Sequence, residues 1–127
     1  MKRIVVLLLI ISAFGCTKQH ARVENNIQGN WELRKLEGGI GGLIVFQPGN
    51  GHIYEFNNDA SYRYLDNGIV KETGTYTLQS STVGGQWTLT LTGPSIQAIQ
   101  VKIAGQQLIF LKTTNCCDNP DVTFEKI

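Results

Sequence analysis

From Trp31 onward the chain is a succession of short stretches in which apolar and polar residues take turns. The clearest is Trp87-Thr88-Leu89-Thr90-Leu91-Thr92. Successive side chains of a strand point to opposite faces, so this pattern puts Trp87, Leu89 and Leu91 on one face and three threonines on the other. Trp31 to Arg34, His52 to Phe56 and Ser61 to Leu65 repeat it, and Ile69 to Leu78 puts Tyr76 and Leu78 together. Further strands are predicted over Ile96 to Ile103, Gln107 to Lys112 and Val122 to Lys126. The links are rich in turn formers: Pro48-Gly49-Asn50-Gly51, Asn57-Asn58-Asp59-Ala60, Asp66-Asn67-Gly68, Gly93-Pro94 and Ala104-Gly105. No segment carries a helical period.

Short strands joined by hairpin-length links predict an all-β meander, and hence an up-and-down barrel or a sandwich. A barrel leaves no open edges, which an all-β chain must otherwise protect. About eight strands make a barrel just wide enough to fill with side chains or to hold one small ligand. The expected architecture is an up-and-down antiparallel β-barrel of eight or nine short strands over residues 27–127, the size of one domain.

The start of the chain reads differently. Met1-Lys2-Arg3 is basic, and Ile4 to Ile11 is an unbroken apolar run. That run is too short to cross ~30 Å of hydrocarbon as a helix. It fits the apolar region of a secretory signal over residues 1–15, with small residues before the cut. Ala13-Phe14-Gly15-Cys16 resembles the lipobox of bacterial lipoproteins, with Gly15 at its small-residue position and Cys16 as the acylated residue. The resemblance implies palmitate-type acyl chains on Cys16 and an anchor in the membrane. A single chain anchors only marginally, whereas several hold firmly. An ordinary signal peptide, with Cys16 incidental, is the alternative. Thr17, where the lipoprotein pattern has an Asp for inner-membrane retention, points to the outer membrane of the envelope. Residues 16–26 are polar and unpatterned, and read as a tether reaching at most ~33–36 Å from its ten residues after Cys16.

Charge excludes some partners. The net charge is +1, and loss of Lys2 and Arg3 with the leader makes it −1. Such a balance carries no footprint for nucleic acid.

Gly29-Asn30-Trp31 opens the first strand, Phe56 to Tyr62 forms a strand-turn-strand, and Gly74-Thr75-Tyr76 sits in a later strand. Together with the closing Phe124-Glu125-Lys126, these resemble the lipocalins and their calycin relatives, small bacterial lipocalin-like lipoproteins in particular. The resemblance implies that Trp31 closes the base of the barrel and that the interior binds a small molecule. The family's Thr-Asp-Tyr signature is missing. No Arg follows Arg63, so a stacked Arg on Trp31 has only Lys112 or Lys126 as partial substitutes.

Tyr54, Phe56, Tyr62, Tyr64, Tyr76 and Trp87 are the candidate ligand-binding residues. Tyr offers a flat apolar body and one hydroxyl to orient a ligand. The same residues would equally serve as a filled core. Gly38-Gly39-Ile40-Gly41-Gly42 lacks the following helix and the Lys of a phosphate loop, and is expected to be a loop over one barrel mouth. Cys116-Cys117 reads as a turn with two thiols, a strained vicinal disulfide, or a weak metal site with Asp118, Asp121 or His52. Glu55 and Glu72 are isolated carboxylates, expected on solvated faces. His20 lies in the tether and has no fixed partner. No nucleophile elbow or metal spacing stands out, so neither catalytic residues nor a cofactor or metal is expected. Two functions follow: binding of a small hydrophobic or amphiphilic ligand at the envelope, or a structural or protein-interaction module with a solid core. The sequence leaves the oligomeric state open.

Overall fold

The computed structural model describes residues 27–112 and 119–127. The leader, Cys16, the tether and the Cys116-Cys117 pair lie outside the described residues. Among the described residues, nine strands form one antiparallel sheet: β1 (Gly29–Glu37), β2 (Leu43–Val45), β3 (Ile53–Phe56), β4 (Ser61–Asp66), β5 (Ile69–Ser80), β6 (Trp87–Thr92), β7 (Ile96–Ala104), β8 (Gln107–Phe110) and β9 (Asp121–Lys126). Each of β3 to β8 pairs with the next in sequence, and β9 returns to pair with β1, which closes an eight-stranded barrel. β2 is the extra strand. It pairs with β1 at Lys35 to Glu37, on the edge whose other half, Gly29 to Glu32, carries β3. The expected all-β meander is therefore the observed fold, and no helix occurs among the described residues.

The turn chemistry accounts for the tight links. Asn67 and Gly68 have φ of 51° and 76°, the double positive pair of a type I′ hairpin, whose twist matches that of the flanking strands. That turn joins β4 to β5 at Asp66 and Ile69.

Alternation fills the interior. Trp31, Phe56, Tyr62, Leu89, Leu91, Val101 and Leu108 are the largest fully buried side chains, and Ile27, Tyr76, Phe110 and Phe124 join them in one cluster. Burying each such side chain contributes about 1.5–3 kcal/mol. At Gly74 the wall leaves no room: a Cβ there would lie 2.1 Å from the Thr92 carbonyl oxygen. Only glycine lets β6 pass so close to β5 as the two strands part.

One polar cluster braces the outside. Glu32, 3% exposed, alternates outward between Trp31 and Leu33. Its carboxylate accepts from the amides of Gly49 (3.1 Å) and Gly51 (3.3 Å) and pairs with Arg34. A bulge between Leu33 and Lys35 turns Arg34 to this side, where its Nε lies 3.3 Å from Glu125. The segment between β2 and β3 is thereby clipped to the wall. Burial pushes the Glu32 carboxyl up, but Arg34 and the two amides outweigh it and hold the group below its ordinary value.

Candidate functional site

The two ends of the barrel are built differently. At the base, the Trp31 ring is wholly buried and its Nε1 donates to the Ile27 carbonyl at 2.6 Å. Lys126 Nζ lies 5.3 Å from the centroid of that ring, within cation–π reach. Gly29 makes this possible. Its φ is +122°, which side chains rarely adopt, and a Cβ would lie 2.7 Å from Lys126 Cε. The Gly29–Trp31 spacing thus has a local physical reason, and Lys126 is the cation over the ring. Nearby, the Tyr76 hydroxyl donates to the Asn57 carbonyl at 2.8 Å and ties down the β3–β4 turn.

The other end is where β1, β4, β6 and β8 finish. A recess of about 310 Å³ opens there, lined by Leu33, Tyr54, Tyr64, Glu72, Phe110, Val122 and Phe124. Tyr54 sits at its centre. Its ring is 4.7 Å from that of Tyr64 and 5.5 Å from those of both Phe110 and Phe124, with Phe110 and Phe124 4.9 Å apart. Aromatic pairs at these separations prefer tilted and edge-on arrangements, which fixes the shape of the wall. A neighbouring recess of about 240 Å³ shares Phe110 and Val122 and continues along Leu111, Lys112, Asn119 and Pro120.

Glu72 is the polar element of the larger recess. Tyr64 and Glu72 are directly paired across β4 and β5, and the Tyr62 hydroxyl donates to Glu72 Oε1 at 2.6 Å. The expectation that Glu72 lies on a solvated face is corrected here. It is half-buried on the inward row with Gly74 and Tyr76, because β5 keeps strict alternation through this stretch. Glu55 instead faces outward and pairs with Arg63. Burial foremost, and then the Glu72 charge, raise the phenols of Tyr54 and Tyr62 far above the usual tyrosine range.

The six aromatic candidates divide. Tyr54 and Tyr64 line the recess; Phe56, Tyr62 and Tyr76 belong to the filled core, and Trp87 packs against it. Leu33, Glu72, Phe110, Val122 and Phe124 complete the recess without having been ligand-binding candidates in the sequence. Their inward alternation was the available signal, but facing strands are matched only by the register. Gly38 to Gly42 forms the β1–β2 turn at the same end, with the Gly38 amide bonded to the Gly42 carbonyl at 3.0 Å. His52 Nδ1 lies 3.1 Å from Asp66 Oδ1, at an angle outside that of a hydrogen bond. Among the described residues no group of three or more His, Cys, Asp and Glu converges as metal ligands.

Comparison with known proteins yields no matching family model, no matching curated protein and no matching solved structure. The closed eight-stranded antiparallel barrel is consistent with a lipocalin-like fold, and this likeness is one of architecture.

Proposed function

We propose that this chain is a non-catalytic binding protein, moored to the cell envelope through an acylated Cys16, whose barrel takes up a small apolar or amphiphilic molecule at its open end. The observation that carries the proposal is the aromatic recess of about 310 Å³ around Tyr54. Its volume lies at the small end of the range for ligand sites, and its lining is apolar with a few polar groups, as such sites require. Native mass spectrometry of the purified full-length chain tests the binding. A small molecule that leaves on activation supports it, and a consistently empty barrel from lipid-containing extracts argues against it. Intact mass tests the mooring: an N-terminal, acylated Cys16 is expected, and a retained Met1 without fatty modification removes it.

An interaction module with a solid core is the second reading. Ile40, Leu43, Val45, Ile69 and Ile96 stand 61–88% exposed at the end that also holds the recess. Under that reading the same mass experiment finds no small molecule at all.

A further inference from the structure

We infer that the recess selects a cationic ligand, an organic amine or ammonium whose apolar part lies against the aromatic wall. The inference rests on the binding reading above and adds the charge of the ligand to it.

Three observations converge. First, the recess places a carboxylate among four aromatic rings, Tyr54, Tyr64, Phe110 and Phe124. Ring faces are negative and attract cations while repelling anions, so the wall and the carboxylate ask for the same sign of charge. Secondly, no cation of the described chain answers Glu72. The ion pairs among the described residues join Arg34, Lys35 and Arg63 to other carboxylates. Among the described residues, the one hydrogen-bond partner of Glu72 is the Tyr62 hydroxyl, which donates to Oε1 and leaves Oε2 open to another donor. A half-buried carboxylate with one free oxygen is a strong acceptor, and its bonds to a charged donor are stronger than those between neutral groups.

Thirdly, the chain gives up side-chain volume to keep the Tyr62–Glu72 pair in place. A Cβ at Gly93 would lie 2.6 Å from the Tyr62 hydroxyl and 3.4 Å from Glu72 Oε1. The pair is therefore held at a spot where the β6–β7 turn passes close by. Tyr62 acts as a positioning residue: it orients Glu72 and leaves Oε2 as the acceptor for an ammonium N–H. The polar head enters toward Glu72, the apolar part rests on Tyr54, Tyr64 and Phe124, and the exposed Ile69 and Ile96 flank this end of the barrel.

The test is calorimetric titration of the purified full-length chain with three probes of matched shape: 2-phenylethylammonium, 2-phenylethanol and 3-phenylpropanoate. The ammonium is expected to bind about tenfold or more tightly than the alcohol, and the carboxylate weakest. Glu72→Gln is expected to bring the ammonium down to the affinity of the alcohol, and Glu72→Asp to keep part of the preference. If the alcohol or the carboxylate binds as tightly as the ammonium to the unmodified chain, the recess binds ligands but the inference of charge selection is overturned. If none of the three probes binds, the binding reading and the inference fall together. The ranking of probes on the unmodified chain decides the matter even where Glu72→Gln fails to fold.

Discussion

At the base of the barrel, aromatic side chains are spent on filling space; at the mouth, they are spent on walling it. Trp31, Phe56 and Tyr62 are 0–2% exposed and pack against one another and against Leu89, Leu91 and Leu108. Tyr54 and Tyr64 come from β3 and β4, the strands of Phe56 and Tyr62, with the same alternation, yet border a recess of about 310 Å³. The difference lies in what closes each end. At the base Ile27 supplies a carbonyl for Trp31, the β3–β4 turn is pinned by Tyr76, and Lys126 covers the ring. At the mouth the inward row of β5 places Glu72, whose hydrogen-bonded carboxylate stands where an apolar side chain would complete the packing. One polar residue on the inner row is enough to change a core into a candidate site, because a carboxylate keeps its neighbours from sealing over it.

The sharpest way to break the comparison is Trp31→Ala. It removes the largest fully buried side chain, and a loss of about 3–5 kcal/mol in urea unfolding is expected. A small loss would mean that the base is not the stabilising end. Next comes Gly74→Ala, whose Cβ must displace the Thr92 carbonyl; about 1–3 kcal/mol is expected in the same assay.

Glu32→Gln acts on the outer clip and has a pH signature. The folded carboxyl lies below its ordinary 4.5, so the unfolded chain takes up the proton first as pH falls. The contribution of Glu32 is present above 4.5 and is lost as pH drops through the folded value. The variant is expected to be weaker by about 1–2 kcal/mol at neutral pH, with a flatter acid limb in its stability curve. An unchanged acid limb would remove Glu32 from the account. Lys126→Met tests the cover over Trp31, with a loss of about 0.5–1 kcal/mol expected from thermal melts. Tyr64→Phe, at the mouth, is expected to stay within about 0.5 kcal/mol of the parent, since the Tyr64 hydroxyl has no hydrogen bond among the described residues. A larger loss would show that the mouth is packed like the base.

Strand positions were legible because both signals for them are local. Alternation over Trp87 to Thr92 and the Asn67-Gly68 dipeptide need no distant partner to be read, and β6 and the β4–β5 turn stand where they were expected. Gly29 and Trp31 were legible as a pair through family resemblance; their physical reason, the Lys126 side chain lying where a Cβ would be, joins the two ends of the domain. The recess was half legible. Tyr54 and Tyr64 announced themselves by residue type, whereas Glu72 looked like any carboxylate on a strand. Counting back in twos from Leu78 and Tyr76 puts Glu72 on their face, but only the register against β4 brings that face, at this height, to the recess.

By itself, then, the sequence determined an antiparallel meander, because period and turn chemistry act over a few residues. Closure of β9 on β1, the bulge at Arg34 and the gathering of Leu33, Glu72, Phe110 and Phe124 around Tyr54 were decided by the tertiary structure. The physical reason is that each depends on register between strands far apart in the chain. A shift of one residue turns an inner side chain to the outside, and burial of the whole inner row, summed over the closed barrel, selects the register.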